Sequence, residues 1–379
     1  YLMSSHHGSS ACSCARTLPA RSTPFTHPRG PGRGGERCPG GSSGGSSAAV
    51  AGGMTPICSA SDGAGSIRFP ASWTGLIGLK GTRGINPLPK GLNESILAGA
   101  VEGALVRSMR DCAAVTEVLA IHRHLGGSFM PSHPPPTLRP QAQVESRQFR
   151  IGFCTQAWGS DVKIDSDVQS ALAKMAQRLE HLGHQVIELS PQDICDFNAL
   201  RESFTVAEWL LPISRELMHQ VHEANVELTD ANASIQLRNH LALADRYDVD
   251  DLFGAQLETE ALMRRWGAFW QHGPCDLLLS PVTPITCPEV TASYRMDSDL
   301  DFDSWFAALF DAACFTIPAN HMGLPALSIP AGLDRNGCPI GMQLMAPWRH
   351  EHDLLHLGFQ IEQSHPELFN LKPRHGLHR

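Results

Sequence analysis

No lysine occurs before Lys80 in this chain of 379 residues. The stretch up to Arg37 also has no Asp and a single Glu, and no apolar residues recur in it with a period of 2 or 3.6. Arg, Pro, Gly, Ser, His and Cys fill it instead, after a first residue, Tyr1, that is not Met. So little apolar surface cannot offset the ordering entropy of a fixed chain. Residues 1–36 are therefore expected to be disordered, or foreign to the fold through truncation or a shifted reading frame.

Other absences narrow the class further. No apolar run reaches the length of a membrane span, and the amino end lacks the apolar core of an export signal. The eleven cysteines include no CxxC pair and no compact disulfide framework, which favours reduced thiols in a cytoplasmic setting. No basic stripe appears. With 30 Lys and Arg against 38 Asp and Glu, the net charge is -8, so nucleic acid is not an expected partner.

What is present alternates between strand and helix patterns. Ser46 to Ala51 is a helix-compatible run of small residues, and Pro56 to Ala60 reads as a short buried strand. Ser108 and Asp111 fit the start of a helix that continues through Ala113, Val115 and Leu119. Residues 126–148, centred on Pro134-Pro135-Pro136, read as a surface connection. A strand follows at Arg150 to Cys154. Val168, Leu172, Met175, Leu179 and Leu182 then recur at helical spacing and stop at Gly183. Strand patterns return at Val186 to Leu189, Leu277 to Leu279, Ala326 to Pro330 and Ile340 to Met345. The region of about 197–272 reads as helical throughout, and His350 to Gln363 as a final amphipathic helix. Strands alternating with helices imply an α/β sandwich around a mixed sheet.

Three generic motifs carry little. Gly30-Pro31-Gly32-Arg33-Gly34-Gly35 matches GxGxxG but has neither the preceding strand nor the following helix that dinucleotide binding needs. GxSxG is met at Gly40-Ser42-Gly44 and at Gly41-Ser43-Gly45, yet Cys38-Pro39-Gly40 is no strand to carry a nucleophile elbow. His352 and His356 lie four apart, but Asp353 stands where HExxH has Glu, so both read as solvated histidines.

A larger composite carries more. Arg37-Cys38-Pro39-Gly40-Gly41-Ser42-Ser43-Gly44-Gly45-Ser46 is followed by Ser61-Asp62-Gly63-Ala64-Gly65-Ser66-Ile67-Arg68-Phe69-Pro70 and by Gly75-Leu76-Ile77-Gly78-Leu79-Lys80. Further on come Arg107 to Asp111, Phe315 to Asn320, Gly323 to Ala326, and Gly337 to Leu344. Together these closely resemble the amidase signature family over residues 37 to about 363. Within it, Gly81-Thr82-Arg83-Gly84, Arg107 to Asp111 and Leu182-Gly183-His184 are most similar to the 6-aminohexanoate cyclic dimer hydrolase group.

The resemblance implies one amidase-signature domain over 37–379, an α/β/α sandwich around a mixed twisted sheet, lacking its amino-terminal helical part. It implies Ser66 as the acyl-accepting nucleophile and Ser42, after a cis Gly41–Ser42 bond, as the serine that relays its proton. Gly63, Ala64 and Gly65 would aim N–H groups at the oxyanion, each worth roughly 2.7–4 kcal/mol of barrier. Ala64 stands where the family usually has Gly. Ser43 is expected to bond within the same site, and Asp62 and Arg68 to hold the loop. Phe315 and Cys314 are candidates for the pocket or for the core.

The family's general base is a lysine many tens of residues before the Ser-Ser-Gly-Gly run. None precedes Lys80, and Lys80 itself matches a scaffold position. A missing base typically costs about 10²–10⁴ in rate. The expectation is thus a serine hydrolase of linear or cyclic carboxylic amides, needing no cofactor or metal, with a small amide as partner, no membrane, and a homodimer left open. The alternatives are a catalytically impaired remnant and, below it, a subunit of an amidotransferase; the basic, tyrosine-bearing stretch that the latter would carry after Lys80 is absent. Reading the DNA upstream of Tyr1 is expected to reveal an in-frame segment bearing the lysine. A stop codon there with no shifted frame would favour the remnant.

Overall fold

A computed structural model describes residues 37–86, 99–120, 147–229, 232–289, 298 and 300–371. The disordered or foreign segment 1–36, the GxGxxG match and nearly all of the Pro-rich connection lie outside the described residues. Eight strands form one sheet: β1 (Ile57–Asp62), β2 (Ile77–Lys80), β3 (Val101–Val106), β4 (Arg150–Phe153), β5 (Gln185–Glu188), β6 (Leu277–Pro281), β7 (Ala326–Leu333) and β8 (Pro339–Met345). Their spatial order is β1-β3-β2-β7-β8-β6-β4-β5. β4 runs parallel to β5 and β6, while the remaining pairs are antiparallel. The sheet is mixed, as the alternation of patterns implied.

Thirteen α-helices surround it among the described residues: α1 (Gly44–Ala51), α2 (Arg68–Thr74), α3 (Met109–Ala120), α4 (Ser166–His181), α5 (Pro191–Ile194), α6 (Phe197–Phe204), α7 (Leu211–Glu223), α8 (Ile235–Ala244), α9 (Val249–His272), α10 (Phe302–Ala312), α11 (Ile317–His321), α12 (Glu351–Ser364) and α13 (Pro366–Phe369). Their starts follow local chemistry. Ser108 Oγ accepts from Asp111 N at 3.1 Å to open α3, and Asp165 accepts from Asp167 N to open α4. Gly183, at φ 90°, turns the chain out of α4, since a residue without Cβ takes that conformation freely.

Two readings needed correction. The region of about 197–272 is helical but not throughout: six residues, Thr205–Leu210, form a π-helical turn between α6 and α7, and the described residues between α7, α8 and α9 are not helical. Period counting sees one apolar face and cannot register one extra residue per turn. Eight cysteines of the described residues are free, but Cys38 is disulfide-bonded.

The core explains the order of strands. β2, β6 and β8 are buried along their whole length, as central strands covered on both faces must be. Phe315 and Cys314 belong to this core, with Phe315 fully buried against Trp158 at a ring separation of 5.3 Å. No helix of the described residues is long and apolar enough to cross a membrane.

Candidate active site

The predicted residues gather at the amino-terminal edge of the sheet, where β1 runs into α2. Asp62 closes β1, and its carboxylate organises the loop beyond that strand. Oδ1 accepts from Gly65 N at 2.7 Å, and Oδ2 from Ile67 N at 3.2 Å and Arg68 N at 3.4 Å. Three N–H groups of the loop thus point at one side chain. Gly65 sits at φ 133°, and a Cβ there would come within 2.8 Å of Thr316 Oγ1 and 3.1 Å of the Phe69 ring. That position admits no side chain.

Arg68 answers Asp62 from the first residue of α2, and both side chains are fully buried. Its Nε and Nη2 donate to the two carboxylate oxygens at 2.9 and 2.8 Å. Nη1 donates to Thr316 O at 3.0 Å and to Gln343 Oε1 at 2.6 Å, and Nη2 also reaches Asn320 Oδ1. Asn320 in turn donates to Asp62 O at 2.9 Å and to Gly99 O at 3.2 Å. Thr316 Oγ1 donates to Ala64 O at 2.6 Å. Burial opposes ionisation of Asp62, but the charge and hydrogen bonds of Arg68, aided by Lys80 and Asn320, outweigh it and hold the carboxyl at about 2. Motif reading singled out Asp62 and Arg68. It quoted Thr316, Asn320 and Gln343 without giving them a role; their signal was only a polar side chain in an otherwise apolar stretch.

Ser66 is buried, and its Oγ makes no hydrogen bond. The peptide bond Gly41–Ser42 is cis, at the predicted place. This segment lies against both flanks of the Ser66 loop. Gly40, at φ 86°, approaches Pro70 so closely that a Cβ would meet its Cα at 2.6 Å. Ser43 exchanges hydrogen bonds with Ser61, its Oγ accepting from Ser61 N at 3.3 Å and donating to Ser61 O at 3.4 Å. Ser43 therefore braces the site from behind. Of the predicted oxyanion donors, Gly65 has its N–H committed to Asp62, while Gly63 and Ala64 lie just before it with Ala64 buried.

Lys80 is fully buried at the end of β2, and its Nζ donates to Gly81 O at 2.9 Å. Burial pushes its amine down from 10.5 to about 7, with Arg68 and Arg83 adding to the fall and Asp62 and Glu351 opposing it. No hydrogen bond joins Lys80 Nζ to Ser66 Oγ.

Beside the loop, Glu208 on the π-helical turn accepts from Arg83 at 3.1 Å and stands 3.0 Å from His321 Nδ1. The other His321 nitrogen lies 2.8 Å from Ser203 Oγ. Arg83 also donates to Asn320 O and His321 O, tying α11 to the chain after β2. Neither Glu208 nor His321 drew attention in the sequence. The paired histidines of α12 do not converge: His352 faces Asp353, while the His356 ring meets the edge of Phe149 at 6.2 Å. A cavity of about 580 Å³ beyond the carboxyl ends of β4 and β5 contains none of the predicted site residues.

With the site in view, comparison with known proteins decides the family. The Amidase family profile matches residues 15–355, starting ahead of the Arg37 boundary. The chain belongs to the amidase signature family. A 6-aminohexanoate-cyclic-dimer hydrolase from a Pseudomonas species is 33% identical over 348 residues, covering 87% of this amidase-family chain and 67% of that protein. A solved structure of a 6-aminohexanoate cyclic dimer hydrolase superimposes with a TM-score of 0.79 at 29% identity, covering 93% of this chain and 71% of the other. A glutamyl-tRNA(Gln) amidotransferase component from Prochlorococcus marinus is 30% identical, over 90% of this chain and 70% of its own.

Two outcomes follow from the geometry. Gly65→Ala is expected to lower stability in denaturant titrations, because the new methyl must displace Thr316 or Phe69; a variant with wild-type stability would contradict the crowding. For Asp62, the folded carboxyl lies below its ordinary 3.8 at about 2, so its contribution is complete above that ordinary value and lost as pH falls through the folded one. Denaturant titrations from pH 5 to about pH 2 are expected to show stability falling over this window. In Asp62→Asn that part of the slope should disappear, and at neutral pH the variant should be less stable by roughly 3–5 kcal/mol, because Arg68 is left buried and uncompensated.

Proposed function

We propose that this amidase-family protein cleaves carboxylic amides through an acyl-enzyme on Ser66. Ser66 Oγ attacks the amide carbon while its proton passes through Ser42 towards the departing nitrogen. The C–N bond breaks, ammonia or an amine leaves, and an ester remains on Ser66. Water then attacks the ester, releasing a carboxylic acid and restoring the hydroxyl. The N–H groups of Gly63 and Ala64, with that of Ser66 itself, would face the developing oxyanion, while Gly65 spends its own on Asp62. Preorganised donors of this kind stabilise the transition state without moving.

The observation that carries this reading is Ser66 Oγ, buried yet free of hydrogen bonds, in a loop whose backbone is fixed on both sides. The similarity to hydrolases of 6-aminohexanoate cyclic dimers favours short linear or cyclic amides as substrates.

A fluorophosphonate probe tests the nucleophile directly. Incubation should give an adduct that maps to Ser66 by mass spectrometry and disappears in Ser66→Ala. Labelling slower by about 10²–10⁴ than in a lysine-bearing relative would point to the impaired form. The absence of any Ser66-dependent adduct would sink the hydrolase reading.

A further inference from the structure

The turn into α12 carries a side-chain cluster that the proposed hydrolysis does not use. His350, His352 and Asp353 each offer one ligand atom within 4.8 Å of the other two. His350 Nδ1 lies 2.8 Å from Asp353 Oδ2, and His352 Nε2 lies 3.3 Å from Asp353 Oδ1. The two imidazoles reach one carboxylate with different nitrogens, and their rings stack at 5.4 Å. We propose that these three residues form a binding site for a divalent transition-metal ion, zinc being the one their nitrogen and carboxylate donors suit. This goes beyond the amide chemistry and does not depend on it.

Size and exposure fit the ion. Zinc binds nitrogen and oxygen donors at about 2.0–2.2 Å, so its ligand atoms stand roughly 3–4 Å apart, a spacing the cluster reaches with small ring rotations. Asp353 is 5% exposed while the His350 and His352 side chains are 44% and 41% exposed. The carboxylate is thus an anchored floor, and the half-open imidazole side leaves room for water to complete the coordination shell.

Two charges oppose a cation here, and both are offset. Arg147 pairs with Asp353 through Oδ1, which leaves Oδ2 for the ion and makes the guanidinium an outer partner that orients the carboxylate. The amino end of α12 carries the positive end of the helix dipole, but Glu351 and Asp353 both sit in its first turn. The neighbours of the cluster show what a bound ion would brace. Arg349 N donates to Thr82 Oγ1 at 2.8 Å, and Thr82 N donates to Glu351 Oε1 at 2.6 Å. A metal on His350, His352 and Asp353 therefore clamps the turn that holds the chain just after Lys80.

Competition between the chelator-stripped protein and a chromogenic zinc chelator tests the site. The wild-type chain should take up one equivalent more than His350→Ala/His352→Ala, and zinc should raise the melting temperature of the wild type only. His352→Ala alone removes a single half-exposed ring and should lose the same equivalent, which guards against a folding defect in the double variant. Equal zinc uptake by wild type and His352→Ala, with circular dichroism unchanged, would overturn the proposal, and so would a wild type that takes up none.

Discussion

The buried pair of Asp62 and Arg68 is the constraint on which this structure turns. Two full charges without solvent are costly unless every lone pair and N–H is used, and here they are. Asp62 takes three backbone amides of the loop, Arg68 takes the carbonyl of Thr316 and the amide oxygens of Gln343 and Asn320, and Asn320 closes the ring. Such a network tolerates few alternative arrangements, because any shift strands a buried charge. The pair thus converts a glycine-rich segment, which left alone would sample many conformations, into one fixed presentation of Ser66.

Much of this was legible in the sequence, and the limits have physical causes. Each strand and helix with a clear apolar period was placed within a few residues, because burial on one face imposes that period. β2 and β3 were not read as strands, and burial alone is not the reason, because β6 and β8 are buried along their whole length and were read. The candidate site divided in the same way. Local features (Ser42 after its glycines, Ser66, Asp62 and Arg68) were visible as a composite motif. Thr316, Asn320, Gln343, Glu208 and His321 meet the loop only in three dimensions, and a polar residue in an apolar run does not declare its partner. Lys80 is the instructive case: its place in a scaffold motif was readable, but an amine lowered to about 7 arises from burial beside Arg68, which no spacing encodes.

The buried ionisable groups around Lys80 form a single electrostatic system. Arg68, Arg83 and Lys80 face Asp62, Glu208 and Glu351 in one apolar surrounding, with His321 beside Glu208. Interactions are strong at these distances in a weakly polar medium, so the state of one member sets the field at the others. The π-helical turn matters here, since it brings Glu208 inward to meet Arg83 and His321; π turns of this kind recur at functional sites.

The hydrogen bonds of Arg68 also have a bearing on synthesis. They join positions 248, 252 and 275 residues apart, so the loop around Ser66 stays without its braces until most of the chain has left the ribosome. At about 5–20 residues per second, that is a delay on the order of ten to fifty seconds. In a nascent chain the loop is therefore fixed late, with the last strands of the sheet. Any carboxy-terminal loss that removes β8 takes Gln343 from Arg68 and leaves the loop less braced even though every serine remains.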